Sequence, residues 1–284
     1  MLRALRIGHA HCATVRTGVT LLVPDAPVVM AVDVRGGGPG TRETDALSPD
    51  TLVERVHGLV LAGGSVFGLA AADELALLLS RAGIGLDVGV CRVPVVPAAI
   101  LFDLGNGGDK GWDEPPYRRL AREAFAALTD TPVWGRVGAG FGATAGSRAG
   151  GIGFADTLLD NGGRVMAAVA VNSFGEVSAS PALDGPVPMP KLARARGLAR
   201  QNTCIGFVAT DVPLTRGAAR RVAVMAQDGL ARVIRPIHTP FDGDTLFALS
   251  TAPGTPGMVD PVLLTELGTR AADCVANAVF NAIG

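Results

Sequence analysis

Two short segments of this chain hold residues whose types and spacing could do covalent chemistry. Asn202 and Thr203 stand where a loop meets an apolar run, and Asp242 and Asp244 stand two residues apart farther along. The loop, Pro181–Gln201, is rich in proline and basic residues, whereas the run after Thr203 is typical of a buried strand. A cut before Thr203 would give that residue a free α-amine, which could take the proton of its own hydroxyl.

The carboxylate pair could support such a nucleophile. Asp242 and Asp244 lie at i and i+2 where a strand begins, so their side chains should project to one face. Carboxylates in that place can hold and polarise an amine or a hydroxyl, as the third member of a catalytic triad does. On local evidence alone, an ordinary first strand residue is the favoured interpretation of Thr203, and Asp-Gly-Asp is equally compatible with a solvated turn.

A third candidate is Asn172, which follows the strongly apolar segment 164–171. A polar amide there is either a turn former or a donor that faces a site. As a donor in an oxyanion hole, one such group lowers the barrier by about 2.7–4 kcal/mol.

Gly64 and Ser65 lie in a predicted strand–turn–helix. We expect Ser65 to cap a helix over 66–81, with exposed backbone amides that point toward a pocket. The alternative makes Ser65 a nucleophile on a sharp elbow, but Phe67 stands where that motif requires glycine. The chain offers few histidines as its base, namely His9, His11, His57 and His238.

Two further motifs carry weaker signals. The segment 138–143 fits the loose dinucleotide-binding fingerprint, with Asp160 about twenty residues later, but more glycines and a strand follow it instead of a helix. His9, His11 and Cys12 lack the further ligands that would complete a metal site. The sequence predicts neither a cofactor nor a metal, and a nicotinamide-binding protein is a distant alternative.

The composition narrows the class of protein. The 284 residues are 48% hydrophobic and 18% charged, which allows a large buried core. The net charge of −1 gives no support for binding to nucleic acid or to an anionic membrane. Four scattered cysteines, a short charged N-terminus and the lack of a long apolar stretch predict a protein of the reducing cytoplasm, without a membrane span.

The predicted elements favour one domain, 1–284, of layered α/β type with sheets packed between helices. The two strands nearest the N-terminus are expected to form a hairpin-like pair, and the proline-rich loop to be a surface excursion. Strands are predicted at 17–23, 27–34, 58–62, 137–145, 151–159, 164–171, 203–209 and 244–251, and helices at 66–81, 115–128, 215–232 and 261–283.

Taken in order, these segments resemble the self-processing aminopeptidase and nylon-oligomer hydrolase family (DmpA/NylC-like), which is close in fold to ornithine acetyltransferases. The resemblance covers nearly the whole chain. The matching blocks are Gly8-His9, Gly18–Thr20, Leu61–Gly68, Val93–Gly105, Val137–Thr144, Val171–Gly175, Asn202-Thr203, Ala209–Asp211, His238-Thr239 and Asp242–Phe247.

The resemblance implies a four-layer αββα sandwich and self-cleavage between Asn202 and Thr203. Cleavage would give an α chain of residues 1–202 and a β chain of residues 203–284. It also implies a homo-oligomer of αβ units, commonly a tetramer, that acts on small amides or peptides.

The resemblance also assigns roles to residues. Thr203 matches the family's nucleophile, Asp242 and Asp244 match its carboxylate pair, and Asn172 matches its oxyanion-side amide. The implied activity is hydrolysis of an amide through an acyl-threonine intermediate. An acyltransferase with the same nucleophile and a non-catalytic family member are the alternatives.

This chain departs from the family at one position near the nucleophile. Relatives carry a lysine in or just after the glycine-rich strand, whereas the corresponding stretch here contains Ser147 and Arg148. Arg148 is the possible replacement for that charge, but an arginine cannot become a neutral base.

The sequence leaves the scissile amide open. Peptides with an N-terminal D-, L- or β-amino acid and oligomers of ω-amino acids all fit, and a threonine nucleophile favours the nylon-hydrolase side of the family slightly.

Overall fold

The computed structural model describes residues 4–178, 202–254 and 257–283, so the whole of the predicted loop Pro181–Gln201 falls outside it. Within these residues the chain forms four α-helices and sixteen strands. The helices are α1 (Ala70–Arg81), α2 (Tyr117–Ala126), α3 (Arg216–Val233) and α4 (Pro261–Ile283). The strands are β1 (Leu5–Cys12), β2 (Thr17–Pro24), β3 (Val29–Val34), β4 (Thr41–Arg42), β5 (Leu59–Ala62), β6 (Leu86–Asp87), β7 (Arg92–Val93), β8 (Ala98–Ile100), β9 (Thr144–Ala145), β10 (Arg148–Ala149), β11 (Gly151–Leu158), β12 (Arg164–Val171), β13 (Glu176–Val177), β14 (Ile205–Thr210), β15 (Ile234–Arg235) and β16 (Thr245–Ser250).

Two five-stranded sheets form the centre of the protein. The first has the strand order β1-β2-β5-β8-β4 and is antiparallel except where β5 pairs with β8. The second has the order β11-β12-β14-β16-β3 and is antiparallel except where β14 pairs with β16. The remaining strands form short two-stranded ribbons.

The helices cover the outer faces of the two sheets. Buried residues of α1 and α2 pack on the first sheet, and those of α3 and α4 pack on the second. Between the sheets lies a third apolar cluster, to which Leu22 and Leu61 contribute from one side and Phe207 and Phe247 from the other. Helix, sheet, sheet and helix therefore form four layers, which confirms the predicted αββα sandwich.

The strands β14 and β16 are buried along their whole length. Their side chains alternate, because Phe207 and Phe247 face the other sheet while Val208 and Ala248 face the helices. Burial on both faces explains why both strands are continuous apolar runs in the sequence.

The N-terminal hairpin prediction is wrong. The strand β2 pairs with β1 and β5 in the first sheet, whereas β3 pairs with β16 in the second. Short-range patterns give strand character but not the sheet to which a strand belongs.

The strand predicted at 137–145 is also wrong. Residues Gly138–Gly140 form a 3₁₀ turn, and within 137–145 only the two residues of β9 pair as a strand. Gly138 has a φ of 51°, and a β-carbon there would lie 2.3 Å from the hydroxyl of Thr20. Glycine at this position allows the turn to pack closely against the first sheet. The same packing lets the Ala139 N–H donate to Thr20 Oγ1 at 3.0 Å.

No helix in the described part of the chain is long and apolar enough to cross a membrane.

The inter-sheet cluster supports a stability prediction. Phe207 is fully buried beside its register partner Phe247. We expect Phe207→Ala to lower the free energy of unfolding by about 3–5 kcal/mol, since the cavity is only partly refilled, and Phe207→Leu to cost less. Urea denaturation measures both, with the half-exposed Phe67→Ala as the control. Equal effects at positions 207 and 67 would contradict this account.

Candidate functional site

The pairing of β14 with β16 brings the two predicted segments together. Because these strands are parallel, the residues that precede them meet at one edge of the sheet. Asn202 forms a parallel bridge with Asp242, and the amide of Thr245 donates to the carbonyl of Cys204 at 3.0 Å. Thr203 and both carboxylates are buried there.

The hydroxyl of Thr203 lies against the peptide carbonyl that precedes it. Thr203 Oγ1 donates to Asn202 O at 2.5 Å. The backbone N–H of Gly243 lies 3.1 Å from Thr203 Oγ1 and 3.1 Å from Asn202 O. The N–H of Thr203 donates to the main-chain oxygen of Asn172 at 2.6 Å. A hydroxyl, a carbonyl and a backbone donor are thus assembled at one peptide bond.

Asp242 holds the turn that leads into this edge. One of its oxygens accepts from the N–H and the hydroxyl of Thr239 at 3.0 and 2.6 Å, and the other accepts from the N–H of Phe174 at 3.2 Å. Burial and the neighbouring Asp244 carboxylate raise the pKa of Asp242 to about 6, although these hydrogen bonds oppose the shift.

Asp244 links the two strands and the same turn. Its Oδ1 accepts from the N–H of Cys204 at 2.8 Å, and its Oδ2 accepts from the N–H of His238 at 3.0 Å. The ring Nδ1 of His238 lies 2.9 Å from Oδ2, which fits the tautomer with its proton on Nδ1. Among the described residues, no hydrogen bond joins either carboxylate to the Thr203 side chain. The two aspartates instead flank Gly243, whose N–H donates to Thr203 Oγ1.

Asn172 contacts the site through its backbone and anchors it through its side chain. Its Oδ1 accepts from the N–H of Thr144 at 2.9 Å, and its Nδ2 donates to the carbonyl of Phe102 at 3.0 Å. One of the two Nδ2 hydrogens is used in this contact.

The predicted helix cap at Ser65 is wrong. Ser65 lies inside a 3₁₀ helix, Ser65–Leu69, and does not precede it. The N-cap position belongs to Gly64, which is left-handed with a φ of 84° and has no side chain to form a cap. The two amides are also not free, because Gly64 N donates to Asp103 and Ser65 N donates to Leu101. Gly64 is required for close packing, since a β-carbon there would overlap the phenol of Tyr117.

In the described ranges, no hydrogen bond joins Ser147 or Arg148 to Thr203, the predicted nucleophile. The N–H and hydroxyl of Ser147 donate to Glu176, at 3.0 and 2.9 Å. The guanidinium of Arg148 donates to the carbonyl of Ile283, at the C-terminal end of α4. Arg148 therefore caps a helix, and that position accounts for its charge.

A further buried carboxylate, that of Asp103, has little signal in the sequence. Its Oδ1 accepts from Gly64 N at 2.8 Å, and its Oδ2 has no hydrogen-bond partner among the described residues. Burial raises the pKa of Asp103 to about 6, although the polar Thr17 hydroxyl and the positive charge of Lys110 act to lower it. Asp103 follows Phe102, whose carbonyl receives the Asn172 amide, so this group lies one residue from the site. An isolated aspartate after an apolar run was its only sequence signal.

The described ranges contain no group of three or more His, Cys, Asp and Glu side chains that could hold a metal ion. The segment 138–143 does not open a helix, because the strands β9 to β11 follow its 3₁₀ turn. The dinucleotide fingerprint therefore lacks the helix N-terminus that binds a pyrophosphate.

Comparison with known proteins decides the family. The pattern that defines peptidase family S58 matches residues 2–284. This chain belongs to peptidase family S58. An uncharacterized aminopeptidase of Mycobacterium tuberculosis is 42% identical over 295 residues, which cover 93% of this chain and 84% of the relative. A 6-aminohexanoate-oligomer endohydrolase of Paenarthrobacter ureafaciens is 29% identical over 307 residues, 97% of this chain and 83% of the relative.

Solved structures agree on the fold. A Burkholderia sp. β-aminopeptidase superposes with a TM-score of 0.76 at 22% identity and covers 99% of this chain and 84% of its own. The L-aminopeptidase D-Ala-esterase/amidase of Ochrobactrum anthropi, described as a variant of the Ntn hydrolase fold, gives 0.75 at 21% identity with the same coverage. The family, the fold and the class of amide-bond hydrolase predicted from the sequence are thereby confirmed.

The raised pKa of Asp103 predicts a pH-dependent stability. The folded carboxyl keeps its proton to about pH 6, whereas the unfolded carboxyl loses it near its ordinary pKa of 3.8, so stability falls as pH rises through this window. Between pH 4 and pH 7, Asp103→Asn should gain about 2 kcal/mol of unfolding free energy relative to the unchanged chain. Urea denaturation of both proteins at pH 4 and pH 7 measures this gain. A difference in unfolding free energy between the two proteins that is the same at both pH values would contradict the prediction.

Proposed function

We propose that this S58 protein cuts its own chain between Asn202 and Thr203 and then hydrolyses amides with Thr203 as the nucleophile. One observation carries the proposal: the hydroxyl of Thr203 lies 2.5 Å from the Asn202 carbonyl oxygen, which also receives the Gly243 N–H. A buried hydroxyl beside a polarised peptide carbonyl is the starting geometry for an acyl shift.

Self-cleavage would proceed in two steps. Thr203 Oγ1 attacks the carbonyl carbon of Asn202, and the negative charge that develops on the oxygen is stabilised by the Gly243 N–H. The proton lost by Oγ1 passes to the nitrogen of Thr203, the C–N bond breaks, and an ester to Oγ1 remains. Water then hydrolyses the ester and releases the Asn202 carboxylate, the Thr203 hydroxyl and its α-amine.

The cut supplies the base for the second reaction. An α-amine has an ordinary pKa of about 7.7–8.0, so that a substantial neutral fraction exists near pH 7. The main-chain oxygen of Asn172 already accepts from the same nitrogen in the uncut chain. The amine takes the Oγ1 proton as the substrate carbonyl is attacked, then gives it to the leaving amine, and water hydrolyses the acyl-threonine. The second Nδ2 hydrogen of Asn172 is the proposed oxyanion donor from a side chain.

Asp242 and Asp244 act as positioning residues in this scheme. They stand on either side of Gly243 and accept hydrogen bonds from the turn and from the start of β14. A shift of either carboxylate would move the Gly243 donor from the reacting atoms.

The relatives support the substrate class. Aminopeptidase and 6-aminohexanoate-oligomer endohydrolase are names of enzymes that cut amides. We propose small amides or peptides as substrates of this chain. Assembly of αβ units into a homo-oligomer, commonly a tetramer, stays a prediction.

An acyltransferase would use the same residues and pass the acyl group to an amine in place of water. Product analysis with and without an added amine separates the two activities. A chain that neither cuts itself nor turns over an amide would be the non-catalytic alternative.

Denaturing mass spectrometry tests the nucleophile. Scaling the 28.9 kDa mass by length, cleavage should yield fragments of about 20.6 and about 8.3 kDa. Thr203→Ala should leave one uncut and inactive chain, whereas Thr203→Ser should still be cut because it keeps a hydroxyl. Ser65→Ala should be cut normally. An uncut chain with full amidase activity would refute the scheme.

The shared donor gives a second test. A β-carbon on Gly243 would lie 2.8 Å from Thr203 Oγ1 and 2.6 Å from Gly38 O, closer than packed atoms allow. We expect Gly243→Ala to slow self-cleavage by about 100-fold or more, since the N–H donor is displaced. Gly38→Ala is the matched control, because its β-carbon would meet nothing closer than 3.7 Å. A time course of cleavage measures both, and equal rates would count against the role of Gly243.

A further inference from the structure

Asn202 is the first acyl group that Thr203 carries under the proposed function, on which this inference rests. After the acyl shift, the carbonyl of Asn202 is an ester of Thr203 Oγ1. An acyl-enzyme formed from a substrate is the same ester with a different acyl group. The contacts that hold Asn202 in the uncut chain therefore describe the place that a substrate's acyl group must occupy.

Besides the hydroxyl of Thr203, three backbone groups in the described part of the chain contact Asn202. Its N–H donates to the carbonyl of Phe241 at 3.0 Å, and its side-chain Nδ2 donates to the carbonyl of Ser173 at 3.1 Å. Its own carbonyl oxygen accepts from the N–H of Gly243. The acyl group thus meets one donor at its carbonyl and two acceptors farther along.

The two acceptors are held in place by the site itself. The Phe241 carbonyl lies in the turn that Asp242 braces through Thr239. The Ser173 carbonyl accepts from Gly146 N at 3.0 Å, which leaves its second lone pair for Asn202. Once Asn202 leaves, each oxygen offers an unoccupied lone pair to a new donor.

The positions of these acceptors translate into chemical positions on an acyl group. Counting the carbonyl carbon as C1, the backbone nitrogen of Asn202 is on C2 and its Nδ2 is on C4. A nitrogen on C6, as in a 6-aminohexanoyl group, is two bonds farther than the Ser173 oxygen requires. A carboxylate oxygen on C4 would face that oxygen with a like partial charge and no proton.

We propose that the carbonyl oxygens of Phe241 and Ser173 form an acyl subsite that selects amides whose acyl group carries N–H donors on C2 and C4. Asparaginyl and 2,4-diaminobutyryl amides satisfy both acceptors, and 4-aminobutyryl amides satisfy the Ser173 oxygen. Aspartyl and butyryl amides leave the Ser173 oxygen without a donor. Asn202 would thus occupy this subsite before the cut, and the acyl group of a preferred substrate would occupy it afterwards.

A series of p-nitroanilides tests the subsite on the self-cleaved protein. The acyl groups are asparaginyl, aspartyl, 4-aminobutyryl, butyryl and 6-aminohexanoyl, and the readout is kcat/KM. We expect asparaginyl to exceed aspartyl, and 4-aminobutyryl to exceed butyryl and 6-aminohexanoyl, each by about tenfold or more, since one hydrogen bond to the buried oxygen is lost.

Self-cleavage supplies the matched comparison in the same protein. Asn202→Asp should cut more slowly than the unchanged chain by a similar factor of about tenfold, because it removes the same donor. Asn202→Ala removes the Nδ2 donor to the Ser173 oxygen without adding a charge, so its rate of self-cleavage should lie between those of the unchanged chain and Asn202→Asp.

The outcomes separate the subsite from the function on which it rests. Equal kcat/KM for asparaginyl and aspartyl anilides, or a 6-aminohexanoyl anilide as good as the 4-aminobutyryl one, overturns the subsite while the nucleophile stands. Self-cleavage without turnover of any anilide also overturns it, because the series contains its preferred acyl groups. A chain that neither cuts itself nor turns over an anilide overturns the proposed function.

Discussion

The parallel pairing of β14 with β16 is the constraint on which the site depends. Ile205 is in register with Thr245, so the residues just before each strand lie side by side although some forty positions separate them in the chain. Both strands are buried on two faces, and Thr203, Asp242 and Asp244 lie just before their N-terminal ends. The geometry at Thr203 therefore inherits the rigidity of the sheet, as a precise site requires.

This edge of the sheet holds two fully buried carboxylates, which is costly unless their oxygens are satisfied. Backbone amides provide most of the compensation, since Phe174 and Thr239 donate to Asp242, and Cys204 and His238 donate to Asp244. Even so, burial and the neighbouring Asp244 carboxylate raise the pKa of Asp242 to about 6.

Side-chain patterns in the sequence predict the layered α/β class, whereas the four layers and the grouping of Thr203 with Asp242, Asp244 and Asn172 are what the family resemblance implies. The long apolar face of α4 sets its limits, and Thr203 and the Asp-Gly-Asp segment stand out at the ends of apolar runs. The sequence does not predict the donor at Gly243 or the unpaired oxygen of Asp103. A backbone N–H has no residue signature, and Asp103 acquires its character only when Gly64 packs against it. The expectation of free backbone amides at Gly64 and Ser65 fails for the same reason, because Asp103 and the Leu101 carbonyl accept from them.

Under the proposed function, the two reactions differ in where the Oγ1 proton can go. In the uncut chain the nitrogen of Thr203 is an amide and cannot accept a proton before the attack, and its N–H is already given to Asn172 O. The hydroxyl hydrogen bond is directed to Asn202 O, the atom on which charge develops. Self-cleavage would happen only once per chain, so it could be slow and proceed without a dedicated general base. Repeated turnover would need a base, and the α-amine created by the cut would serve as one. A lysine near the nucleophile would therefore matter most for the first reaction, in which this chain relies on the Gly243 N–H and on the closeness of the hydroxyl to its carbonyl.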